Sequence, residues 1–187
     1  MKVVVGLGNP GPEYDATRHN VGWWLVDRVA YEWNFPVFQR DGRAMVTEGS
    51  RGEVGFRLMK PATFMNRSGQ ALTALATVPD FLPENDLLVV VDDAALDVGL
   101  VRFRSQGSPG GHTGLRSVSQ ALGSDDYPRL RIGVGVPPQG EDLSDWVLSA
   151  MSPGDEDVIL GLLPELVRGV EVWGIEGIEA AMNGFNR

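Results

Sequence analysis

Two histidines and one aspartate are the residues of this sequence best suited to move a proton. His19 and His112 are the only histidines, and both lie in loop-like stretches just before segments with helical periodicity. An imidazole in a polar loop is a suitable general base near neutral pH. Such a base needs a partner that fixes its tautomer, and Asp92, which directly follows an apolar run, fits that role. The three side chains together predict acid–base chemistry.

Two other roles for the histidines compete with this one. Either ring can simply satisfy hydrogen bonds in the core, although neither lies on an apolar stripe. A metal site made by His19 and His112 is the weaker alternative, because neither lies in a recognised metal-ligand spacing. We therefore expect no metal.

The usual nucleophiles of covalent hydrolysis are missing. The sequence contains no cysteine, and no serine lies in a Gly-x-Ser-x-Gly elbow. Water activated by a histidine remains as the attacking group, and it requires hydrogen-bond donors that hold a carbonyl and its developing oxyanion. Asn9, Asn66 and the backbone of Gly110-Gly111 fall in predicted loops and are the candidate donors.

Residues 6–11 spell Gly-x-Gly-x-x-Gly after a predicted strand, as in dinucleotide-binding proteins. Pro10 and Pro12 disfavour the helix that must open at those glycines. The nearest suitable acid, Asp27, lies inside a helical pattern instead of ending a second strand. A nucleotide-dependent oxidoreductase is therefore a weak alternative, and a tight turn or a ligand loop containing Asn9 explains the segment better.

The composition is typical of one compact protein from a reducing compartment. The chain has 187 residues, of which 43% are hydrophobic, and it lacks cysteine. No run reaches the roughly 18 apolar residues of a membrane helix, and the apolar start at residues 3–5 is too short for a signal peptide. We expect a single domain over residues 1–187, in the cytoplasm and without a membrane partner.

Charge is unevenly distributed along the chain. The net charge of −9 argues against a general nucleic-acid binder. Residues 102–131, however, contain five arginines and only two acids, whereas acids concentrate over residues 141–179. A local basic face on an acidic protein is therefore compatible with the sequence.

Predicted strands and helices alternate through most of the chain. The strands are expected at residues 3–5, 87–91, 99–104 and 130–136, with a hairpin over 44–48 and 54–59; the helices are expected at 21–33 after an Asn20 N-cap, at 68–78 and 113–122, and from 155 and 175. This alternation predicts an α/β, single-domain layered fold with a twisted mixed β-sheet flanked by helices, the hairpin making the sheet mixed.

Five motifs in this order closely resemble those of bacterial-type peptidyl-tRNA hydrolases. They occupy residues 6–11, 17–22, 60–69, 110–115 and 129–133. Each motif alone is weak, but the five in sequence are specific. Tyr14 and Asp92 accompany them, and the resemblance extends to residues 182–186 near the end of the chain.

The resemblance implies hydrolysis of the ester bond of peptidyl-tRNA from stalled ribosomes, by a monomer that needs neither cofactor nor metal. It implies that His19 activates water, that Asp92 orients His19, and that Asn9 and Asn66 hold the peptide and ester region. It places the following further residues at the cleft, the peptide, or the tRNA acceptor stem and 3′ end: Tyr14, Phe64, Met65, Gly110, His112, Thr113, Arg102, Arg104 and Arg131.

Three features depart from the family pattern. Thr113 stands where the family usually has asparagine, Ala95 lacks a second carboxylate, and Ser108-Pro109 should stiffen the glycine-rich loop. Thr113 and Ala95 leave open a catalytically silent relative that serves as an RNA-binding or splicing partner.

Retention of the central polar residues favours the enzyme over that silent relative. A protein without activity has no reason to keep Asn9, His19, Asn66 and Asp92 together.

Overall fold

The computed structural model describes residues 1–187 and contains one seven-stranded mixed sheet. The strands are β1 Lys2–Gly6, β2 Gln39–Asp41, β3 Ala44–Arg51, β4 Val54–Pro61, β5 Leu87–Asp93, β6 Val101–Arg104 and β7 Arg129–Gly133. Their order is β2-β3-β4-β1-β5-β7-β6. Strands β4, β1, β5 and β7 run parallel to one another, and the β3–β4 hairpin and β6 add antiparallel edges.

Six α-helices accompany the sheet. They are α1 Val21–Glu32, α2 Pro83–Asp86, α3 Thr113–Leu122, α4 Leu143–Val147, α5 Pro153–Glu176 and α6 Ile178–Phe185. None of them is both long enough and apolar enough to cross a membrane.

Both faces of the central strands are buried, which explains why they are apolar without alternation. In β1, Val4 packs into a 24-residue cluster with α1 and α5, whereas Val3 and Val5 pack into a 15-residue cluster beneath α3. The residues of strand β5 alternate between the two clusters in the same way. The α/β layered fold with a mixed sheet is therefore confirmed.

The helix expected at residues 68–78 is wrong. Two 3-10 helices, Met65–Ala71 and Thr73–Thr77, occupy this part of the chain. Gly69 lies directly against α3, where a Cβ would collide with the Ser117 carbonyl, and the Gly69 N–H donates to Ser117 Oγ. The hydroxyls of Thr73 and Thr77 bond carbonyls three residues back, which competes with regular helix formation. Docking onto α3 and local side-chain bonds thus override the helical spacing.

Three short strands or α-helices were not expected from the sequence. They are the edge strand β2, the four-residue helix α2 and the five-residue helix α4, and none carries a clear periodic pattern because each is so short.

Candidate active site

Glycines bring the site residues to the carboxyl ends of β1 and β5. A Cβ on Gly22 would collide with the carbonyls of Val90 and Leu7, and one on Gly6 would collide with the Gly22 carbonyl. The start of α1 therefore sits directly on the ends of both strands. The 3-10 turn before α1, Arg18–Asn20, is thereby held beside Asp92 at the end of β5.

The turn after β1 does not open a helix. Only a 3-10 turn over Pro12–Tyr14 follows Gly11, so no helix N-terminus faces these glycines. The helix N-terminus that dinucleotide binding needs is absent at this turn, as predicted from the two prolines.

His19 and Asp92 form a buried hydrogen-bonded pair. Nδ1 of His19 lies 2.8 Å from each oxygen of the carboxylate, whose side chain is 2% exposed. An ionised carboxylate only accepts, so Nδ1 carries the hydrogen. In the neutral ring the unprotonated nitrogen of His19 is then Nε2, for which the structure shows no hydrogen bond to another protein group.

His112 is the second donor to the same carboxylate. Its Nε2 lies 2.8 Å from Oδ1 of Asp92, and its Nδ1 accepts the backbone N–H groups of Gly114 and Leu115 as the N-cap of α3. Because Nδ1 accepts, the ring hydrogen lies on Nε2 and points at Asp92. The helix cap therefore fixes the tautomer of His112.

The two imidazoles decide the charge state of Asp92. Burial alone would raise the pKa of this carboxyl group. N–H donation by His112 and His19, together with the positive charge of either ring when it is protonated, outweighs burial and holds the pKa of Asp92 well below its usual value. The carboxylate is thus ionised at neutral pH.

These three side chains also offer ligand atoms within 4.8 Å of one another, a grouping able to hold a metal ion. Coordination through Nε2 of His112 would move its hydrogen to Nδ1, against two backbone N–H groups. The donor set therefore fits hydrogen bonding to Asp92 better than metal coordination.

Asn9 is oriented by its surroundings. Its Oδ1 accepts the N–H of Met65 at 2.7 Å, and its backbone pairs with the side-chain amide of Asn20 through two hydrogen bonds. The Nδ2 hydrogens of Asn9 thus remain free as donors. Asn20 occupies the N-cap position of α1, as expected, but its side chain makes no capping hydrogen bond to the helix, because its amide holds the Asn9 loop instead.

Two cavities meet at His19. The arginine-side cavity, about 470 Å³, includes Asp92, Gly110, His112 and Arg131 in its wall. The asparagine-side cavity, about 340 Å³, is walled by Asn9, Phe64, Met65, Asn66 and Leu148, among others. The residues that line both cavities are His19, Thr113, Ser144 and Val147.

Comparisons with known proteins cover nearly the whole chain and all point to one family. The family model described as peptidyl-tRNA hydrolase matches residues 3–187. The peptidyl-tRNA hydrolase of Gemmatimonas aurantiaca is 43% identical over 192 residues, covering 100% of each chain, and that of Symbiobacterium thermophilum is 44% identical over 188 residues, covering 99% of this chain and 98% of that protein. The crystal structure of peptidyl-tRNA hydrolase from Acinetobacter baumannii superposes with a TM-score of 0.92 at 31% identity, covering 100% of this chain and 94% of that chain.

The chain belongs to the peptidyl-tRNA hydrolase family. The prediction of a hydrolase of this family, made from five motifs, is thereby confirmed.

Most of the expected site residues of this peptidyl-tRNA hydrolase family member line the two cavities. Three of them do not, namely Tyr14, Arg102 and Arg104. The Tyr14 ring stands edge-on to the exposed ring of Phe64, with 6.5 Å between centroids. Arg102 and Arg104 lie on the edge strand β6, where Arg102 is the register partner of Arg131 on β7. Arg131 reaches the cavity wall while its Nη2 donates to the Ser108 carbonyl.

The site residues that sequence reasoning missed include Ser144 and Val147 of α4, which line both cavities. Arg18, which contacts α4 through Trp146, was given no role of its own. A usable signal for α4 existed: Asp142 is an N-cap that accepts the N–H groups of Ser144 and Asp145. Nothing in the sequence, however, indicated that α4 folds back over His19.

Proposed function

We propose that this protein hydrolyses the ester bond of peptidyl-tRNA, with His19 as general base and without a covalent intermediate. The observation that carries the proposal is the bond from Nδ1–H of His19 to buried Asp92, which leaves Nε2 unprotonated where the two cavities meet. Nε2 takes a proton from water, the resulting hydroxide attacks the ester carbonyl, and the proton passes to the departing ribose oxygen.

Amide donors beside His19 suit the carbonyl that is attacked. Asn9 presents Nδ2 hydrogens in the asparagine-side cavity because its oxygen is occupied by Met65. Asn66 lies in the same wall, next to the apolar surfaces of Phe64 and Met65. Donors that are fixed before the reaction stabilise a developing oxyanion without reorganising. We assign this cavity to the peptide.

The opposite cavity suits the tRNA end of the ester. Arg131 and the backbone of Gly110 line it beside His112 and Thr113. Arg102 and Arg104, on the neighbouring strand, extend this positive charge and would contact acceptor-stem phosphates. Arg129 does not join them, because it is fully buried and donates to carbonyls of residues 108, 125 and 127.

A role in translation, recycling tRNA in the cytoplasm, follows from this proposal. That the protein acts as a monomer and needs neither cofactor nor metal remains a prediction.

An N-blocked aminoacyl-tRNA tests the proposal directly. Wild-type protein should release the blocked amino acid, and His19→Ala should lose the activity while still binding the substrate. His112→Ala is the matched control for loss of an imidazole, and it should keep measurable turnover because Nε2 of His19 remains available.

Two outcomes would contradict the proposal. Binding of tRNA without any turnover by the wild type would favour the silent RNA-binding relative. Full turnover by His19→Ala would show that another group activates the water.

A further inference from the structure

Arg18, next to the catalytic base, is buried without a carboxylate partner. The residue is 5% exposed, and burial lowers the pKa of its guanidinium, with the charges of Asp155 and Glu141 opposing this effect. Burying a cation is unfavourable unless strong contacts offset the lost hydration. A buried arginine in the turn that carries His19 therefore calls for a structural reason.

All hydrogen bonds of this side chain go to α4 and to the residues that directly follow it. Nη1 contacts the carbonyls of Trp146, Ser149 and Ala150 at 3.2–3.3 Å and the Ser149 hydroxyl at 2.5 Å. Carbonyls at the end of a helix lack partners within the helix and carry partial negative charge, so a cation is favourable there. Arg18 thus binds the C-terminal end of α4 and the two residues Ser149 and Ala150 that follow it.

The guanidinium also stacks on an aromatic ring of the same helix. Its central carbon lies 3.4 Å from the ring centre of Trp146, whose Nε1–H donates to the Gly135 carbonyl. A planar guanidinium can stack and donate hydrogen bonds at once, whereas an ammonium group cannot do both in this geometry.

Few other contacts hold α4 in place. The helix is five residues long, too short to be stable alone, and its first residues are exposed. The backbone adds one hydrogen bond, from Arg18 N–H to the Ser149 carbonyl, and one bridge between Thr17 and Ala150. The position of α4 thus depends on the turn that carries His19.

We infer that Arg18 is a positioning residue that fixes α4 as the shared wall of both substrate cavities. Ser144 and Val147 of this helix line the two cavities together with His19 and Thr113. The inference rests on the proposed function, because it assigns the held helix to substrate binding. Asp92 orients His19 independently of α4, so Arg18 should affect substrate binding more than the chemical step.

Arg18→Lys tests the inference, since lysine keeps the charge and loses the planar stack. We expect KM for an N-blocked aminoacyl-tRNA to rise about ten-fold, as for the loss of one hydrogen-bonded charge contact, with kcat within about two-fold of wild type. Hydrogen exchange over residues 143–150 should become faster. Arg28→Lys is the matched control: Arg28 pairs with Glu32 on the exposed side of α1, and this change should alter none of these values.

Trp146→Leu removes the same stacking contact by changing the aromatic ring instead of Arg18. The residues of the turn that carries His19 stay unchanged. We expect KM to rise in this variant too, and to rise in the double variant by less than the product of the two single effects, because both changes remove the same stacking contact. Trp146→Leu also loses the Nε1–H bond to the Gly135 carbonyl, so the two single effects need not be equal. If Arg18→Lys does not fold, Trp146→Leu alone decides the matter, and an unchanged KM in it overturns the inference.

Two further results would overturn the inference. A fall in kcat with unchanged KM in Arg18→Lys would mean that Arg18 acts on His19 itself. Unchanged exchange over residues 143–150 would mean that Arg18 does not hold α4, and this readout stands even if the wild type fails to hydrolyse the ester.

Discussion

Nε2 of His112 and Nδ1 of His19 both lie 2.8 Å from the same oxygen of Asp92, Oδ1. The ring of His112 caps α3 through its other nitrogen, whereas the ring of His19 faces the two cavities. This arrangement gives two chemically identical side chains different roles. His112 is held as a donor to the carboxylate, whereas His19 keeps a nitrogen free to act as base.

Asp92→Asn should lower kcat by roughly 10²- to 10⁴-fold with little change in KM. The amide loses the charge that stabilises the imidazolium of His19, and its NH₂ group can turn toward Nδ1 and favour the wrong tautomer. Steady-state kinetics measure the effect. Asp157→Asn, at an exposed position on α5, is the control; an equal loss there would mean that the carboxylate of Asp92 has no special role.

Two substitutions at His112 should separate helix capping from contact with Asp92. Asparagine is a good N-cap residue, so His112→Asn should keep most of the stability of α3, whereas His112→Ala should lose about 1 kcal/mol. Both variants lose the Nε2–H donor to Asp92, so both should lower kcat by a similar factor. Thermal unfolding and kinetics provide the two measurements. Equal stability of the two variants would argue against the capping role.

The carboxylate of Asp92 should contribute to stability in a pH-dependent way. Its pKa is lower in the folded protein than the value of about 3.9 for an unfolded chain, so the folded state favours the charged form. The contribution is complete above pH 4 and is lost as the pH falls below that value toward the lowered pKa. The difference in unfolding free energy between wild type and Asp92→Asn should therefore narrow between pH 5 and pH 3.5. Widening of this difference over that interval would show that the sign is wrong.

Asn20→Ala should weaken substrate binding although Asn20 lines neither cavity. The change removes both hydrogen bonds that hold the Asn9 backbone, so Asn9 loses its fixed orientation toward the peptide. We expect KM to rise several-fold and kcat to fall less, by analogy with the loss of neutral hydrogen bonds. Asn183→Ala, at an exposed position on α6, is the control. Equal kinetics of the two variants would remove Asn20 from the site.

Two arginines in register on neighbouring strands should respond differently to truncation. Arg104 is exposed on β6, and Arg104→Ala should weaken tRNA binding and reduce the slope of log K against log salt by about one. Arg129, its register partner, is fully buried and stacks on Tyr127, so Arg129→Ala should mainly lower the unfolding temperature. Binding titrations at several salt concentrations test the first variant. An unchanged slope would place Arg104 outside the tRNA contact surface.

Much of the fold could be predicted from local patterns. Runs such as residues 3–5 and 87–91 are apolar at every position, a pattern that is typical of a strand covered on both faces. The helix over Thr113–Leu122 was predicted with its observed bounds. Prediction failed at residues 68–78, where the close contact of Gly69 with α3 decides the backbone, because that contact joins parts of the chain that no local window contains.

The sequence by itself determined which chemistry was available: two imidazoles, a strand-end carboxylate, loop amides and no covalent nucleophile. The tertiary structure alone decided that His19 and His112 share Asp92, that the α3 cap fixes one of their tautomers, and that Arg18 holds α4 over both cavities. The contacts of Asp92 with the two histidines and of Arg18 with Trp146 join residues that are 20 to 128 positions apart in the chain, whereas the α3 cap is local. They depend on strand register, helix docking and the direction of each ring nitrogen, which packing sets and residue spacing does not encode.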